Sequence, residues 1–103
     1  MITFEARGHV GIATIDRRER RNALNGEMCD QLRGHLEQSE HLRAIVLTGA
    51  GTAFCAGADL VTRFAAEGDA TTDTFRPAFE HVLDAIVAHP APVVAAINGP
   101  AIG

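Results

Sequence analysis

Residues 43–60 read RAIVLTGAGTAFCAGADL, and how this stretch is read decides what the chain is. Its first part, Arg43 to Thr48, is an apolar, β-branched run bounded by Gly49 and Gly51, the pattern of a buried strand. Its second part is a loop in which Cys55, Ala56, Gly57 and Ala58 are all small. Small side chains leave the backbone bare, so its N–H groups can approach a ligand closely. Asp59 is placed to cap a following helix, whose dipole would add positive character at the same point. Bare amides near a helix start suit an anion or a developing oxyanion. Taken alone, the stretch fits a plain tight turn with a packed Phe54 better. A dinucleotide-binding fingerprint counted from Gly49 fails, because Phe54 falls where a small residue is needed for close helix–strand approach.

Working outward, residues 92–103 (PVVAAINGPAIG) supply a second strand followed by a second turn of small residues. Val93 to Ile97 reads as a fully buried strand, and Asn98, Gly99, Pro100 and Gly103 as a tight, backbone-exposing turn. Two strand-ending glycine turns can offer one N–H each to a single oxygen. At the other end, Ile2, Phe4 and Ala6 alternate with Thr3 and Glu5. Gly8-His9 then leads to a strand from Val10 to Ile15, which makes an antiparallel hairpin. The charged stretch DRRERRNALN (16–25) reads as a surface loop. Asn25 caps a helix from about Gly26 to Ser39, with Met28, Leu32 and Leu36 on one face and Cys29 beside them. A second helix carries Phe75, Phe79, Val82, Leu83, Ile86 and Val87 at helical spacing, with Pro77 in its first turn. Strands alternating with helices predict an α/β fold. A buried last strand needs cover that these residues scarcely supply, so the core reads as unfinished.

The chain has 103 residues, 47% of them hydrophobic, with a net charge of −4. That balance gives no electrostatic footprint for nucleic acid. No apolar run is long enough for a membrane span, and the start, MITFEARGHV, lacks a signal peptide's features. The expectation is a cytoplasmic protein. Two cysteines, Cys29 and Cys55, read as packed thiols rather than a disulfide framework. All nine basic residues are Arg, which excludes Schiff-base lysine chemistry and a P-loop lysine from these residues. His9, His35, His41, His81 and His89 show no metal-ligand spacing, and no metal is expected.

Together, RRNALN (20–25), RAIVLTGAGTAFCAGADL (43–60) and PVVAAINGPAIG (92–103) resemble the enoyl-CoA hydratase/isomerase (crotonase) family, in that family's order and at its usual separations. The resemblance implies an α/β, crotonase-like spiral of ββα units, with residues 1–103 as the N-terminal portion of a single domain and the remainder absent. It implies an acyl-CoA thioester substrate. Coenzyme A is then part of the substrate, and no separate cofactor is needed. It also implies assembly of the complete domain into homotrimers or hexamers. By alignment of CAGADL, the Ala58 amide is the first oxyanion donor, and Ala56, Gly57, Asp59 and Leu60 line the path of CoA and acyl chain. The second donor falls just after Gly103, and the acid–base glutamate pair falls farther along. Glu67, Asp69 and Asp73 lie where the family has a mobile lid, and read as solvated charges.

The family usually carries a proline where this chain has Arg18. In the arginine-rich loop, Arg20 and Arg21 are the candidates for a CoA phosphate, beside the plainer reading of a solvated charge run. The reaction the resemblance favours is hydration of a 2-enoyl-CoA in fatty acid metabolism, with these 103 residues inactive alone. Isomerase and other crotonase-type reactions share the same blocks. A different class of reading is a non-catalytic truncated chain, acting only as a weak CoA binder or an assembly piece.

Overall fold

The computed structural model describes residues 1–59 and 75–103. Strands β1 (Ile2–Arg7) and β2 (Val10–Ile15) pair antiparallel, from Ile2 opposite Ile15 to Arg7 opposite Val10. The turn between them is made by Gly8 at φ 60, where a side chain would be strained. A short 3-10 turn at Arg18–Arg20 leads to helix α1 (Gly26–Glu37). The Asn25 side chain accepts from the Met28 amide at 2.9 Å, capping α1 where the sequence placed the cap.

Strand β3 (Ala44–Gly49) lies parallel to β2; helix α2 (Phe75–Ala88) then precedes β4 (Val93–Ala96), parallel to β3. The sheet order is β1-β2-β3-β4. Parallel neighbours require crossover connections, and α1 and α2 lie within the two crossovers. The helices pack on each other and close one face of the sheet. Ala13, Ile15 and Ile45 from the strands meet Met28, Cys29, Leu32 and Leu36 of α1 and Ala78 and Val82 of α2.

Two expectations change. Val93 to Ile97 is not a buried strand: β4 is the sheet edge among the described residues, with Val94 52% and Ile97 63% exposed. A β-branched apolar run reports a backbone preference and an aversion to water, but not which neighbour covers it. The stretch 16–25 is not wholly surface either, because Asn22 and Ala23 are buried. Leu60, Glu67, Asp69 and Asp73, and the helix Asp59 was expected to cap, lie outside the described residues.

Candidate functional site where two glycine turns meet

Thr48 of β3 stands opposite Ala96 of β4, so the chains leaving these strands emerge side by side. Asn98 then ties one turn to the other. Its Oδ1 accepts from the Gly49 amide at 3.1 Å, while its Nδ2 donates to the Gly51 and Ala53 carbonyls at 3.0 and 3.2 Å. Beyond it, Cys55 and Ala101 form an isolated parallel bridge. The Phe54 and Cys55 amides donate to the Pro100 carbonyl, and the Ile102 amide donates to the Cys55 carbonyl at 2.9 Å. Approach this close needs glycine. A Cβ on Gly99 would strike the Thr52 carbonyl oxygen, and one on Gly57, at φ 100, would lie 3.2 Å from the Ile102 carbonyl oxygen.

On the opposite side the segment 16–24 holds the same loop. Asn22, fully buried and at φ 62, accepts from the Arg17 amide at 2.8 Å and donates to the Ala50 and Ala53 carbonyls. Leu24 pairs with Ala58 in a second parallel bridge. The Leu24 amide donates to the Gly57 carbonyl at 2.8 Å, and the Asp59 amide donates to the Leu24 carbonyl at 2.7 Å. The Gly57 carbonyl and the Ala58 N–H belong to one planar trans peptide and point in opposite directions. With that carbonyl turned to Leu24, the Ala58 N–H faces away from it. Among the described residues it donates to no acceptor.

A cavity of about 250 Å³ lies beside Ala58, walled by Leu24, Cys55, Gly57, Ala58, Phe75, Phe79, Ile102 and Gly103. A second, mostly apolar cavity of about 310 Å³ shares Leu24, Cys55, Phe79, Ile102 and Gly103, and reaches in to Leu32, Leu47 and Val82. An amide N–H without a protein partner, beside apolar space, is a donor a ligand oxygen can use. Cys55 lines both cavities as a neutral thiol: burial raises its pKa, and its contact with Gly57 only partly opposes this. Among the described residues no group of His, Cys, Asp and Glu side chains is arranged to hold a metal ion. No helix among them is long and apolar enough to cross a membrane.

The expected site residues separate. Gly57 and Ala58 stand on the cavity wall together with Gly103. Ala56 is set back from it, its amide bonded to the Arg21 carbonyl at 3.1 Å. Asp59 was expected along the ligand path but is buried, its Oδ2 2.6 Å from Arg17 Nη1; a carboxylate out of water needs a cation beside it. Arg20 and Arg21 are exposed and line neither cavity, with Arg21 ending the 3-10 turn at φ 52. Arg17 is the arginine the sequence reading passed over. A run of like charges does not show which member turns inward, and the available signal was the lone carboxylate of Asp59 among small residues. Asn22 was also missed, although asparagine is well suited to a left-handed turn.

Residues 5–103 match the family model of enoyl-CoA hydratase/isomerase. A protein of Mycobacterium bovis named "probable enoyl-CoA hydratase" is 47% identical over 91 residues, covering 86% of this chain and 35% of its own length. One of Rhodobacter capsulatus with the same description is 44% identical over 103 residues, covering 99% and 40% respectively. The crystal structure of an enoyl-CoA hydratase from Polaromonas superposes with a TM-score of 0.88 at 30% identity, over 95% of this chain and 40% of that one. The chain thus spans well under half the length of these relatives. With family model, curated relatives and fold in agreement, the chain belongs to the enoyl-CoA hydratase/isomerase family.

Proposed function

We propose that residues 1–103 form the N-terminal portion of a crotonase-type domain whose whole protein hydrates a 2-enoyl-CoA, with the Ala58 amide as one of two donors to the thioester oxygen. The observation that carries this reading is the Ala58 N–H, turned away from Leu24 and without an acceptor among the described residues, on a residue that walls an apolar cavity. As water adds across the double bond, charge develops on the thioester oxygen, and a fixed N–H dipole stabilises that enolate without reorganising. The second donor is assigned to the residue following Gly103, which the turn 98–103 would bring to the same cavity. The acid and base that deliver water's elements are assigned to carboxylates outside these residues. Coenzyme A enters as part of the substrate. A cytoplasmic location and a homotrimer or hexamer go with this reading.

Hydration is followed by loss of the enoyl thioester's ultraviolet absorbance, in protein expressed from its own gene at whatever length that gene specifies. Ala58→Pro deletes the donor, and because this N–H is not used in the Leu24 bridge the pairing can survive. The variant is expected to lose a factor of about 10² to 10³ in turnover. Unchanged turnover in a folded variant would refute the assignment, and migration of the double bond in place of hydration would make the protein an isomerase.

For the 103-residue polypeptide by itself a second reading applies, since among the described residues no carboxylate lines either cavity. It is expected to bind CoA weakly or act as an assembly piece, without turnover. Hydration above a buffer blank, by material free of host hydratase, would overturn that.

A further inference from the structure

We infer that Arg17 is a positioning residue for the Ala58 donor: its ion pair with Asp59 sets the direction of the 57–58 peptide and thereby the aim of that N–H. The inference rests on the reading of Ala58 given above. Arg17 reaches the strand-like segment 57–59 from a separate turn. Its Nη1 lies 2.6 Å from Asp59 Oδ2 and donates to the Ala23 carbonyl at 3.3 Å, while its own amide donates to Asn22 at 2.8 Å. One side chain thus ties Asp59 to the turn that carries Leu24.

The bridge between Leu24 and Ala58 has only two hydrogen bonds, one on each flank of Ala58. With no ladder continuing on either side, rotation of the 57–58 peptide is opposed by one bond from the Leu24 amide. Gly57, at φ 100 and without a Cβ, adds little stiffness of its own. The residue on the other flank is Asp59, so anchoring its carboxylate supplies the missing restraint. The pair is nearly dry, with side chains 17% and 4% exposed, so screening by solvent is weak. Arg17 lines neither cavity, and it acts through Asp59 rather than by touching substrate.

The test reads carbonyl polarisation directly. An enoyl thioester with an aromatic chromophore absorbs at longer wavelength when its carbonyl accepts strong hydrogen bonds, so the red shift on binding reports the aim of the donors. With protein expressed from its own gene, wild type is expected to show the shift. Arg17→Gln should bind the thioester within about threefold of wild type but lose most of the shift. It should also lose about tenfold or more in kcat with little change in KM, as expected when a reacting group is misaimed rather than lost. Arg17→Lys, which keeps a cation against Asp59, should restore most of both.

Absence of any shift in wild type would refute the oxyanion reading, and with it this inference. A wild-type shift that persists in Arg17→Gln would refute the positioning role alone and leave Ala58 as the donor. So would a loss in Arg17→Lys as complete as in Arg17→Gln. Should Arg17→Gln fail to fold, Asp59→Asn removes the charge at constant size, and retention or loss of its shift decides in the same way.

Discussion

Asn22 and Asn98 show how much a single side-chain amide can organise. They come from different segments, yet both donate to the Ala53 carbonyl, and between them they bond five backbone groups of residues 17 and 49–53. Asn22 is the more consequential because it is fully buried. Asn22→Ala would strand the Arg17 amide and weaken the satisfaction of two carbonyls. A loss of about 2–4 kcal/mol in denaturant unfolding is expected. Cys29 acts at the same scale through charge. Burial, then Asp30 and Cys55, push its thiol from an ordinary 9.0 to about 11. The folded state therefore favours the neutral thiol. This contribution is complete below pH 9 and is lost as pH rises through about 11, on the order of 2–3 kcal/mol in all. Melting curves between pH 8 and 11 should show the decline, and Cys29→Ala should reduce it, leaving the part due to the buried Cys55 thiol.

Among the elements, α2 is where helical periodicity and burial part company. Its apolar stripe is plain in the sequence, yet only Ala78 and Val82 are buried, while Leu83 is 45% and Val87 86% exposed. Val82 packs in the core with Phe75 and Ile86 against it, while Leu83 and Val87 turn to solvent. The two sides should respond differently to truncation. Val82→Ala is expected to cost about 1–3 kcal/mol by opening space in the core, whereas Val87→Ala should stay within about 0.5 kcal/mol. Equal losses in parallel denaturation curves would mean that α2 is covered on both sides.

At the scale of the molecule, several large apolar side chains are left exposed. Val94 lies on β4 and Ile97 just past it, whereas Ile102, Phe79 and Leu83 stand at the inner cavity. Singly exposed apolar residues are ordinary, but several of them together with a strand edge that has no partner among the described residues invite association. The isolated 103-residue polypeptide is expected to sediment as concentration-dependent aggregates. Val94→Lys together with Ile97→Lys should reduce this by placing charge on and just past the edge strand. A sharp, cooperative melt of a soluble wild-type monomer would show that the edge needs no partner.

By itself the sequence determined the elements and their order, since period-2 and period-3.6 patterns, the Asn25 cap and the glycine turns are local properties that short-range sterics impose. It also carried the family, through three separated blocks that lie within the matched residues 5–103. That two glycine turns follow strands 48 residues apart, Thr48 and Ala96, was legible too; that these strands are neighbours was decided by the parallel pairing of β3 with β4. Tertiary structure alone chose Arg17 from a run of arginines, because whichever guanidinium lies next to a buried carboxylate depends on how two distant turns pack. It alone left Val94 at an edge, because composition expresses an aversion to water whereas burial requires a neighbour. The direction of the Ala58 amide was likewise beyond the sequence: it is set by a hydrogen bond from Leu24, 34 residues earlier in the chain, to the other end of the same peptide plane.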